Sequence, residues 1–161
     1  MNKYIFLDID GVLNSAEYYL EKPVNVRIKE LEGTVPDTHI AVCLASIDSS
    51  KVRLLNKLID ETKARIVISS SWRGDSALQY IFSKAGIEGL IYGETPRLPN
   101  ESRGKEVRKW LETERWPYRY VIIDDDMNML DSQLDHFVQT DWKVGLTEEN
   151  VIKAIKILND D

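Results

Sequence analysis

Aspartates and hydroxyl residues recur where apolar runs of this chain break off. Asp8-Ile9-Asp10-Gly11-Val12-Leu13-Asn14 follows a run that begins at Lys3. Ser69-Ser70-Ser71-Trp72-Arg73 follows a run that begins at Arg65, and Asp124-Asp125-Asp126 closes a run that begins at Tyr118. Phosphoryl transfer needs a nucleophile, a proton donor for the leaving group, a cation over the phosphoryl oxygens and fixed hydrogen-bond donors around them. Asp8 suits the nucleophile. Asp10, two residues on and able to face the same site past the end of a strand, suits a general acid that then serves as base. Gly11 permits the backbone turn that this placement requires. The hydroxyl of Ser70 can hold a phosphoryl oxygen, and Arg103 or Lys105 can offset its charge. Asp124 and Asp125, with oxygens of Asp8 and Asp10, can hold a metal ion. Hard oxygen donors with no supporting cysteine or histidine set favour Mg2+ over zinc.

Such residues must be brought together by the elements that carry them. The runs at 3–8, 65–70 and 118–124 are rich in β-formers, and a fainter one lies at 136–140. The apolar parts of 65–70 and 118–124 are continuous rather than alternating, which predicts strands covered on both faces. Helical spacing appears at 50–62, where Val52, Leu54, Leu55, Leu58 and Ile59 recur behind Asp48 or a nearby serine as a cap, and again at 75–85, 104–114 and 147–158. Strands alternating with helices predict an α/β fold: a three-layer, Rossmann-like domain with a mostly parallel central sheet. Ligands of such sheets bind beyond the carboxyl ends of the strands, where these acids and serines fall. Residues 15–46 break the rhythm with scattered apolar pairs, two prolines and Gly33, and read as a small cap or lid inserted after the first strand. Residues 93–102, with Pro96 and Pro99, read as a surface loop.

At 161 residues the chain fits one domain, and its 43% hydrophobic and 30% charged content is that of a folded protein rather than a disordered one. The net charge of −6 argues against a broad surface for nucleic acid or an anionic membrane, so attraction for phosphate must be local. The single cysteine, Cys43, cannot form an internal disulfide and reads as core packing. No apolar stretch approaches the roughly 20 residues that span a bilayer, and the expected location is cytoplasmic.

The ordered set of motifs resembles the haloacid dehalogenase (HAD) superfamily. The stretch Asp8-Ile9-Asp10-Gly11-Val12 matches its first motif, and Val121-Ile122-Ile123-Asp124-Asp125 matches the paired-acid form of its last. Ser69-Ser70-Ser71-Trp72-Arg73, then Arg103-Gly104-Lys105-Glu106-Val107 leading to Trp110-Leu111, resemble the small HAD domains of Swiss Army Knife RNA-repair proteins. The tail does too, in His136-Phe137-Val138-Gln139-Thr140-Asp141 and Gly145-Leu146-Thr147. The resemblance implies a phosphatase that works through an aspartyl-phosphate on Asp8, with Asp10 as acid and base. It leaves Ser70 favoured over Ser69 in the second motif, and Arg103 over Lys105 in the third. The expected substrates are a nucleotide, a nucleic-acid phosphate end or a small phosphorylated metabolite.

Other residues carry less. Asp126 reads as solvated or as a cap for 127–130, Trp72 more as packing than as pocket lining, and Arg73 as either packing or pocket. His39 and His136 lack the partners a triad would need. Tyr18, Tyr19, Lys22, Arg27 and Lys29 read equally as a solvated lid face or as contacts to a base or second phosphate. Two rival functions remain: a protein that sequesters a phosphorylated ligand without turnover, which intact Asp8 and Asp10 disfavour, and a phosphotransferase with an alcohol as acceptor.

Overall fold

The computed structural model describes residues 1–159. Its centre is a five-stranded sheet of β1 (Asn2–Leu7), β2 (Arg65–Ile68), β3 (Ile91–Glu94), β4 (Tyr118–Asp124) and β5 (Phe137–Gln139), in the order β3-β2-β1-β4-β5. Every pairing in it is parallel. Leu7 stands opposite Ile68 on one side and Ile123 on the other, so the ends of the three central strands are level. That register sets Asp8, Ser69 and Asp124 side by side.

Each face of the sheet meets its own core, as side-chain alternation along a strand requires. Ile5 and Leu7 of β1, with Ile66, Ile68, Val121 and Ile123, pack under α4 (Ser49–Thr62), α5 (Leu78–Lys84) and α7 (Glu148–Asn159). Tyr4 and Phe6 turn the other way. With Val67 and Ile122 they pack against Val107, Trp110 and Leu111 of α6 (Arg103–Leu111). The indole of Trp110 meets the Tyr4 and Phe6 rings edge-on, at centroid distances of 4.9 and 5.3 Å.

The expected α/β architecture is therefore observed, with two differences. Residues 91–94, whose last two fell within the stretch read as a surface loop, form the edge strand β3. Its four residues alternate in burial around Gly93, where a Cβ would come within 3.2 Å of the Trp110 indole nitrogen. The segment after the first strand is also more ordered than its sequence suggests. It folds into α1 (Ala16–Glu21), α2 (Val24–Leu31) and α3 (Thr38–Ala45), with side-chain caps from Ser15 on α1 and Asp37 on α3. No helix among the described residues is long and apolar enough to cross a membrane.

Candidate active site

β1 delivers Asp8 to the sheet edge almost wholly buried, and the chain then turns sharply through Gly11. Gly11 has φ +74°, and a Cβ on it would fall 2.6 Å from the carboxyl carbon of Asp125, so the turn and the acid after β4 can approach this closely only with glycine. Thr140, just past β5, donates its hydroxyl to the Gly11 carbonyl at 2.8 Å and ties a third strand end to the same turn. Asn14 closes the turn. Its side-chain oxygen accepts from the Gly11 N–H at 2.9 Å, and its nitrogen donates to Oδ1 of Asp10 at 2.9 Å. The other Asp10 oxygen accepts from the Trp72 indole at 3.1 Å.

Of the serines after β2, Ser70 is the one whose hydroxyl bonds Asp8. Ser69 is also fully buried, but its hydroxyl finds no partner, and Ser71 lines the cavity above. Arg103 opens α6 and lines that cavity too, its Nε 3.5 Å from Oδ2 of Asp124. Gly104 allows the approach, because a Cβ there would lie 2.6 Å from the Leu130 backbone nitrogen and 2.5 Å from the Gln133 side-chain oxygen. Lys105 is not brought to the site. Two positions along a helix turn a side chain through roughly 200°, and Lys105 pairs with Glu101 on the outer surface.

The carboxylates of Asp8, Asp124 and Asp125 each place an oxygen within 4.8 Å of the others. Burial pushes the Asp8 carboxyl up to about 6 against the opposing pull of Arg103 and the Ser70 hydrogen bond. Burial and then the charge of Asp8 push Asp124 up to about 7. Asp125 is raised as well, first by burial. One guanidinium cannot balance three acids, and Oδ2 of Asp124 is buried with no hydrogen-bond donor. An all-oxygen donor set with one orphaned, inward oxygen fits a hard divalent cation. Asp10, expected to share in metal binding, has its carboxylate outside this group, since Asn14 and Trp72 engage both of its oxygens. Asp126 is exposed and caps the Asn128 N–H, as the sequence suggested.

Arg73 serves the frame. Its Nε donates to the Ser70 carbonyl and its Nη1 to Thr95 and to Glu106, all at 2.7 Å, so it staples the serine loop to the β3 exit and to α6. His136 stacks on Tyr120 with centroids 4.2 Å apart and is structural. Sequence reasoning missed Asn14 as an orienting residue, Trp72 as a donor to Asp10, and Trp142 as part of the cavity wall. Asn14 had a signal in its position four residues after Asp10. Trp72 and Trp142 had none in local spacing.

The resulting cavity, of about 510 Å³, has Asp8, Asp10, Arg103 and Asp125 among the residues that line it, together with Tyr19 of α1 and Trp142. Residues 4–151 match the model of the HAD domain in Swiss Army Knife RNA repair proteins. Among solved structures, a haloacid dehalogenase-like family hydrolase from Streptococcus pneumoniae has a TM-score of 0.50 at 13% identity, over 96% of this chain and 90% of that one, a likeness of fold. No curated protein matches the chain at a significant level.

Proposed function

Because the chain belongs to the family of HAD domains found in Swiss Army Knife RNA repair proteins, we propose that it is a Mg2+-dependent phosphomonoesterase with Asp8 as nucleophile. The observation that carries this reading is the meeting of Asp8, Asp124 and Asp125 beside Arg103, with Asp10 separately anchored at the rim. Asp8, Asp124 and Asp125 would hold the cation, which when bound neutralises phosphoryl oxygens and makes the phosphorus easier to attack. An Asp8 oxygen forms a bond to phosphorus as the ester P–O bond breaks, and the leaving oxygen takes a proton from Asp10. Asp10 then accepts a proton from water, whose oxygen displaces the Asp8 carboxylate from phosphorus and releases inorganic phosphate. Ser70 and Arg103 hold the phosphoryl oxygens through both steps.

Tyr19 and Trp142 give the cavity two aromatic walls above these polar groups. Its volume falls in the range of small-ligand sites. A flat base can lie against such walls, which favours a nucleotide or a nucleic-acid phosphate end over a sugar phosphate. Helices α1 to α3 serve in this reading as a small cap on a single HAD-like domain.

The direct test is phosphate release from nucleotides, 3′- and 5′-phosphorylated oligonucleotides and sugar phosphates, with Mg2+ and with chelator. Release that needs Mg2+ and is lost in Asp8→Asn is expected. Tight binding of a phosphorylated compound with no release from any would instead favour a sequestering protein.

A further inference from the structure

A second group of potential ligands lies away from the three carboxylates, where the cap meets the body. His39 and Cys43 are four residues apart on α3 and therefore share one face. Asp75 reaches them from the turn that precedes α5. His39 Nε2 is 2.7 Å from Oδ2 of Asp75 and 3.9 Å from the Cys43 sulfur, and one donor atom from each residue lies within 4.8 Å of the others. Packing explains why Cys43 is buried, but not why an imidazole and a carboxylate converge on it.

The arrangement is not a nucleophilic relay. A Cys-His-Asp relay uses both ring nitrogens, one toward the thiol and one toward the acid, whereas here the same Nε2 faces both partners. Three donor atoms of these types gathered within 4.8 Å of one another are what a metal ion requires. We propose that His39, Cys43 and Asp75 form a binding site for Zn2+ or another borderline-soft divalent cation, one that ties the cap helix α3 to the body of the protein.

The chemistry of the donors supports zinc rather than Mg2+, since thiolate and imidazole select for it. Tetrahedral zinc separates such donors by about 3.3 to 3.5 Å, so the observed 2.7 and 3.9 Å spacings adjust by only about half an ångström. Asp75 is already oriented as a ligand would be, because its Oδ1 accepts from the Ala77 N–H at 2.9 Å and leaves Oδ2 directed at His39. His39 is largely exposed, which gives an ion a path in and leaves room for water as a fourth ligand. This site does not depend on the proposed phosphatase activity.

Co2+ is the probe, added to metal-free protein in excess Mg2+. Cys43 is the sole thiol of the chain, so a thiolate-to-cobalt absorption band reports this site and cannot arise from the three carboxylates. One equivalent of Co2+ is expected to give that band with tetrahedral visible bands, and one equivalent of Zn2+ to abolish them. His39→Gln and Asp75→Asn should each weaken cobalt affinity at least about tenfold, while Asp8→Asn keeps the bands. Zn2+ should raise the melting temperature of wild type and not of His39→Gln. Absence of a thiolate band in wild type, or unchanged cobalt affinity in a folded His39→Gln variant, would overturn the assignment.

Discussion

The Trp72 indole donates a hydrogen bond to Oδ2 of Asp10 at 3.1 Å, across 62 positions of sequence, and Asn14 holds the other oxygen of the same carboxylate. The proposed acid is thus fixed from two sides, one within its own turn and one from the loop after β2. In the proposed reaction each donor would set where the Asp10 proton is delivered.

Trp72→Phe keeps the ring and loses the donor. We expect kcat to fall roughly tenfold to a hundredfold with KM little changed, the cost of a misplaced catalytic group. The loss should be large for alkyl phosphates, whose leaving oxygen needs a proton, and small for aryl phosphates, whose leaving group departs as an anion. An equal loss on both classes would mean that Trp72 acts on something other than proton delivery.

Asp8→Asn and Asp10→Asn should fail differently. An amide cannot form the acyl-phosphate, so Asp8→Asn is expected to fall to background on every substrate while still folding. Asp10→Asn should lose about 10²- to 10⁴-fold on alkyl esters. Stopped reactions with a labelled substrate should trap phosphate on the protein in Asp10→Asn and never in Asp8→Asn. Near-normal turnover in Asp8→Asn would remove it as nucleophile.

Stability should depend on pH through two buried acids of the site. Asp8 and Asp124 rise from an ordinary value of 3.8 to about 6 and about 7 in the folded state. The folded protein therefore holds these protons more tightly than the unfolded chain does, and the contribution is fully present only below about pH 4. It is lost as pH rises through 6 and 7. In chelator, the melting temperature should fall between pH 5 and 8, and Mg2+ should restore it at pH 8. Asp124→Asn should flatten the chelator profile and raise the Mg2+ needed for activity. A wild-type melting temperature that is level across this range without metal would contradict the electrostatic picture.

Arg73 and Glu106 form an ion pair with side chains only 7% and 9% exposed. Removing one partner of such a pair strands the other charge, which typically costs about 3 to 5 kcal/mol. Arg73→Met should lower the melting temperature by roughly 6 to 20 °C at this chain length, and activity with it, since the Ser70 carbonyl loses its anchor. Chemical denaturation that shows less than about 1 kcal/mol of loss would mean the pair is solvated in solution.

The sequence reveals some of this directly and conceals the rest for physical reasons. β1, β2 and β4 are legible because their later residues are buried on both faces, and there the sequence runs apolar, at 4–7, 66–68 and 121–123. Helix α4 is legible because Val52, Leu55 and Leu58 recur on one side behind a capping Asp48. The cap helices are not. None of the residues of α1 is buried, and the one buried in α2 is Arg27, held by the Tyr18 ring and carbonyl. Edge strand β3 is short, half exposed and broken by glycine. The acids of the site could be ranked because strand ends were. Trp72 could not, because its partner is set by tertiary packing, and the preference for Arg103 over Lys105 that the resemblance implied has a geometric reason only in the oriented helix.

The register of the sheet also decides when the site can exist. β1 lies in the middle yet precedes every other strand in the chain, and its partners are β2 and β4, with Tyr4 opposite Arg65 and Tyr120. Asp8 therefore has neither a serine nor a second acid beside it until two distant segments have docked, and such long-range parallel pairing is slow. A nascent or half-folded chain carries the proposed nucleophile without the groups around it, so the proposed cation site emerges together with the finished sheet.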